Sequence, residues 1–161
     1  MILGLPLAQF TFLHVFLSLV GIGAGIFVLF GLLNSLRVRI LTALFFVTTI
    51  TTSLTGFLFP FHGMTPGIML GILSIIVLVL AIIALYAKHL EGGWRATYVV
   101  SVCLAFYFNF FVLVAQGFAK VPALKEAAPT MASPAFGIAQ AALFLIFLLL
   151  TIRAVKKFHP A

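Results

Sequence analysis

Residues 51–67 read TTSLTGFLFPFHGMTPG. Whether this stretch lies inside one long apolar run or divides it fixes how often the chain crosses a membrane. Pro60 and Pro66 each remove a backbone donor and crowd the preceding turn, and Gly63 between them permits a tight reversal. The stretch therefore ends one helix and starts another. On either side lie apolar runs, 40–59 and 67–87, of about the 20 residues that a helix needs to cross the hydrocarbon core.

Working outward from that break gives further runs at 7–33, 96–118 and 134–155. They are bounded by Asn34 and Ser35, by Gly92 and Gly93, and by Pro122, Pro129 and Pro134. The expected fold is all-α: a polytopic transmembrane bundle of five helices, forming one membrane domain over residues 1–161. Composition supports it. Of the 161 residues 65% are hydrophobic and 7% charged, with a mean hydropathy of +1.36, whereas a soluble domain carries about 25% charged residues. The opening MILGLPLAQF has no basic n-region, so it is read as the approach to the first span rather than as a cleavable signal.

The net charge of +7 does not point to nucleic acid, because the basic residues stand at the ends of apolar runs and form no soluble basic face. They orient the helices instead. With five spans, Arg37, Arg39, Lys88, Arg95, Arg153, Lys156 and Lys157 share one side, and Lys120 and Lys125 the other. The positive-inside rule then predicts an external N-terminus and a cytoplasmic C-terminus. Trp94, Tyr86 and Tyr98 fall near the inner boundary, where an aromatic belt belongs. Cys103 is single and sits in an apolar run, which excludes an intrachain disulfide and fits a small buried hydrophobe.

Polar residues gather in the outer half. His14, Ser18, Gly21 and Gly25 share one face of the first helix, a small-residue face suited to close helix packing within the chain, in a homo-oligomer or with a membrane-complex partner. Thr48, Thr52, Thr55 and Phe59 form a stripe on the second helix. Asn109, Gln116 and Lys120 form another on the fourth, and Gln140 lies at similar depth on the fifth. The threonines are expected to bond their own carbonyls four residues back. His14 is the ionisable group inside a span, and so the leading functional candidate.

These residues predict a polar pocket bounded by the first, second and fourth spans, with the fifth as a further candidate wall. Its candidate ligand residues are His14, His62, Thr52, Thr55, Asn109 and Gln116, with Lys120 and Gln140 at the rim. A single b-type haem held by His14 and His62, or a quinone bonded to His14, is the expected cofactor, since neutral imidazole is the usual haem ligand. Three alternatives stand beside it. His14, His62 and Met64 offer the imidazole and thioether set that suits Cu(I). The pocket could be the mouth of a small-solute carrier, although the apolar inner half offers no continuous polar path. The chain could also be an accessory subunit without chemistry of its own. Hydrolytic chemistry is disfavoured, because there is no Asp and Glu91 and Glu126 fall on opposite sides.

LTGFLFPFHGMTPG and the later NFFVLVAQGFAKVPALKEAAPT resemble a group of small uncharacterised bacterial inner-membrane proteins that share a Pro-bracketed outer loop and a KVPAL segment. The resemblance covers most of the chain. It implies a multi-pass protein of the bacterial inner membrane and brings no activity with it. The segment 119–133 is read as a connector or, in a second reading, as a lid over the outer mouth.

Overall fold

Proline and threonine punctuation sets the helix starts. The computed structural model describes residues 1–60 and 63–160, and over them the chain forms α1 (Leu7–Leu33), α2 (Arg39–Gly56), α3 (Pro66–Ile82), α4 (Trp94–Lys120), α5 (Pro122–Ala127) and α6 (Pro134–Lys157). Pro stands in the first turn of α3, α5 and α6, where its missing N–H is no loss. Thr65 caps α3 by accepting from Ile68 N at 3.3 Å. A single π-helical turn, Ile83–Ala87, prolongs α3, so Pro66–Ala87 is one span. Five helices, all but α5, are long and apolar enough to cross a membrane, and no strand occurs among the described residues. The fold is an all-α membrane bundle.

Helix α2 stops at Gly56, short of the expected 59. Phe57 N bonds Leu54 O and Leu58 N bonds Thr55 O, so the chain tightens three residues before Pro60, which disfavours helical geometry just upstream of itself. Helix α4 runs two residues beyond expectation at each end, because Gly93 and Val121 flank it without breaking it earlier. Within 119–133, a segment expected to be a connector, Pro122 starts the short α5.

Helices α1, α2, α3 and α4 pack in that cyclic order, each against the next, and α6 packs on the outside of α4 and α1. One half of this ring is filled. Phe45, Val99, Val102, Phe106 and Phe147 are buried there with Ala24, Val28, Leu78, Ala81 and Ala105. Small residues on α1 allow the closeness: a Cβ on Gly25 would lie 2.5 Å from the Phe106 ring, and one on Gly21 would lie 3.0 Å from Thr48 Oγ1. Gly21 and Gly25 on the small-residue face of α1 are therefore packed inside the chain, against α2 and α4.

The three basic segments meet at one end of the bundle. Arg95 Nη1 donates to Val155 O at 2.7 Å and to Phe158 O at 2.8 Å, satisfying carbonyls that the end of α6 leaves free. The tail is also held to the loop after α1, where His159 N donates to Ser35 Oγ at 2.8 Å. This is the basic end; the other carries the N-terminus.

Candidate functional site

The ring opens in its N-terminal half. There the four helices surround a cavity of about 520 Å³, within the size range of small-molecule sites. Helix α1 contributes His14 and Ser18, and α2 with its following turn contributes Thr52, Ser53, Phe57 and Phe59. Helix α3 contributes Gly67, Gly71 and Ser74, and α4 contributes Phe108, Asn109, Gln116 and Lys120. The wall is mostly apolar, with these polar groups spaced along it.

His14 is the best-defined of them. Its Nδ1 lies 2.9 Å from Thr55 Oγ1. That hydroxyl has one proton, and it is aimed at Thr51 O at 2.7 Å, with Thr52 O at 3.1 Å. Thr55 can then only accept from the ring, so the network assigns the imidazole proton to Nδ1. Nε2 is left with a lone pair and has no partner among the described residues. Phe59 stands edge-on to the imidazole at 5.1 Å between centroids, and Phe10 stands against Phe59 at the same spacing. The ring is thereby held by one hydrogen bond and one aromatic contact.

The threonine run follows the local pattern expected of it, with Thr48 donating to Leu44 O and Thr51 to Val47 O, both at 2.7 Å. Thr52 does not. Its Oγ1 is buried without a hydrogen-bond partner among the described residues, a condition that costs about 1–3 kcal/mol in a folded protein. Asn109 Nδ2 donates to Thr49 Oγ1 at 3.3 Å, tying α4 to α2 at the cavity floor. Gln116, Lys120 and Ser74 line the cavity with no hydrogen bond among the described residues.

The structure thus brings together His14, Thr52, Asn109, Gln116 and Lys120, with Thr55 behind His14. Gln140 is not at the rim. It is 8% exposed and donates from Nε2 to Phe111 O at 3.1 Å, so it joins α6 to α4 away from the cavity. Met64 is 73% exposed and does not line the cavity. His62 lies outside the described residues. Helix α5 is exposed along its whole length and contributes nothing to the wall, so it does not cover the cavity as a lid.

Two contributions were missed in the sequence. The fourth wall is α3 and not α6, and Ser74, which is buried, lines the cavity from it. A signal existed, since Gly67, Gly71 and Ser74 are spaced by four and three and so mark one small-residue face of α3.

No protein-family model, curated protein or solved structure matches this chain. What the site can do is read from its own chemistry. Among the described residues, the cavity has a hydrogen-bond acceptor on His14, hydroxyl and amide groups along its wall, one cation at its rim and no carboxylate. It suits an apolar body that carries a hydroxyl or another polar head.

Proposed function

We propose that the cavity binds an apolar ligand with a hydroxyl-bearing ring, of the quinol class, in the outer leaflet of a bacterial inner membrane. The observation that carries this reading is the His14 lone pair, fixed on Nε2 by Thr55, in an otherwise mostly apolar cavity. A ring hydroxyl would donate to Nε2, and Phe57, Phe59 and Phe108 offer faces for the ring itself. Gln116 and Lys120 would meet further oxygens on the ligand. The proposal concerns binding; any electron transfer would need a partner protein.

The leaflet follows from the positive-inside rule, which assigns the seven-cation end to the cytoplasm. The bacterial inner membrane belongs to the same proposal, as what the sequence resemblance implies. A b-type haem is the second reading, favoured by the same lone pair, which could ligate iron. A Cu(I) site has less support, because Met64 is exposed and does not line the cavity with His14. A carrier has less still, because the filled basic half offers no continuous path for a polar solute.

Binding of decylubiquinol to the purified full-length protein, measured by calorimetry in detergent, tests the first reading. His14→Ala is expected to weaken it roughly tenfold or more, the loss of a hydrogen bond in an apolar site. The absorption spectrum of the same preparation separates the second. A Soret band that vanishes in His14→Ala would replace quinol with haem, and a colourless protein that binds no quinol would leave an accessory-subunit role.

A further inference from the structure

A second cavity, of about 270 Å³, lies at the basic end, closed off from the first by the filled core. Arg37 and Arg39 line it, together with His89, Tyr86, Tyr98 and Thr42, over an apolar base that includes Val28 and Leu32. The seven cations at this end were expected from topology alone. Topology needs charge on a loop; it does not require two arginines, both exposed, to line one cavity.

The cations differ in how they are used. Arg95 is consumed by the carbonyls at the end of α6. Among the described residues, Arg37 and Arg39 make no hydrogen bond or ion pair, and no acid lines the cavity. Tyr98 and Thr42 line the same cavity and bring neutral hydroxyl groups to it. Arg39 is also the first residue of α2, whose N-cap, Val38, supplies no side-chain bond, so free N–H groups point toward this end.

The opposite wall is built from irregular backbone. The π-helical turn Ile83–Ala87 supplies Leu85 and Tyr86, and His89 and Leu90 follow with φ of 48° and 64°. Leu90 N bonds Ala84 O at 3.0 Å, which holds the turn closed with His89 on the cavity wall. Two successive left-handed non-glycine residues are costly, and such strain persists where the surrounding structure enforces it.

We propose that this cavity binds a phosphate-class anion, with the Arg37 and Arg39 guanidiniums as its ligands. Guanidinium forks match phosphate oxygens in pairs. The volume is that of a head group rather than of a drug-sized molecule. Two sources share the chemistry, a membrane phospholipid head group and free phosphate. The site sits level with Trp94, Tyr86 and Tyr98, the interfacial aromatics, where basic pockets between helices take up lipid phosphates.

The test is native mass spectrometry of the delipidated full-length protein, titrated with phosphatidylglycerol, phosphatidylcholine or inorganic phosphate. Preferential retention of one phosphatidylglycerol, weakened roughly thirtyfold in Arg37→Gln/Arg39→Gln and unchanged in Arg153→Gln/Lys157→Gln, supports the site with a lipid source. Displacement of that lipid by inorganic phosphate, or phosphate binding lost in the same variant, supports it with a free source. The Arg37→Lys/Arg39→Lys variant keeps the charge should the glutamine pair fail to fold, and it is expected to bind severalfold more weakly. Equal losses in both glutamine pairs, no preference in the wild type, or full affinity in the lysine pair would each overturn the proposal.

Discussion

One stripe of α4 serves two different halves of the bundle. Val102 and Phe106 belong to it in the basic half, each 2% exposed, and the Phe106 ring packs against Phe45, Phe110 and Phe147. Asn109 and Gln116, one and two heptads beyond Val102, face the cavity. The neighbouring helix follows the same change: α1 presents Gly21, Ala24 and Gly25 to the filled half but Ser18 and His14 to the open one. In lipid the hydrophobic effect does not separate these environments, because the bilayer is itself apolar. Packing and polar satisfaction do. The filled half is held by close approach, and the open half by a few hydrogen bonds around a space.

If that division is right, the strongest effect should come from disturbing close approach. Gly25→Val puts atoms into the Phe106 ring, which has nowhere to move, and should destabilise the protein by roughly 2–3 kcal/mol. Gly23, on the same helix, meets nothing within 4 Å of an added Cβ. Gly23→Ala should therefore change stability by less than about 1 kcal/mol, in the stabilising direction. Thermal unfolding in detergent checks both, and equal losses would mean that α1 is not packed asymmetrically.

Next in size is Arg95→Gln, which removes two charge-assisted bonds to α6 and its tail and should cost about 2 kcal/mol. Hydrogen exchange over residues 155–159 should quicken while decylubiquinol binding stays unchanged, since this end is separated from the cavity by the core. Asn109→Leu breaks the α4 to α2 tie at the boundary between the halves. Its expected cost is about 1 kcal/mol in unfolding assays, as for other hydrogen bonds between membrane helices.

The smallest expected change in stability carries the sharpest contrast. Thr52→Val removes a buried hydroxyl that has no partner among the described residues, so stability should hold or rise by up to about 1 kcal/mol. Quinol affinity should nevertheless fall severalfold. A loss of stability without a change in affinity would make Thr52 part of the packing and not of the site.

The spans were legible because prolines and glycines end membrane helices for local reasons. Pro66 and Pro134 mark helix starts, and the threonine and glutamine stripes mark the bundle-facing sides of α2 and α4. What the sequence could not supply was rotation between helices. Gln140 and Gln116 are the same residue at similar depth, yet one is spent on Phe111 O and the other faces open space. Only the packing of α6 against α4 distinguishes them. The role of α3 went unread because its signal is an absence of bulk at Gly67 and Gly71, easily passed over in an apolar run. Arg37 and Arg39 were read as topology marks, since a sequence shows charge at a boundary but not the cavity that two arginines line.

Thiol accessibility tests the division most directly, because the chain carries its own reference. Cys103 is 2% exposed in the filled half, and Ser18 lines the cavity. In Ser18→Cys, a small methanethiosulfonate reagent should modify residue 18 and leave Cys103 untouched, and decylubiquinol should protect residue 18. Equal modification of both thiols would contradict the filled and open halves, and a residue 18 that reacts equally with and without quinol would contradict the assignment of the cavity to that ligand.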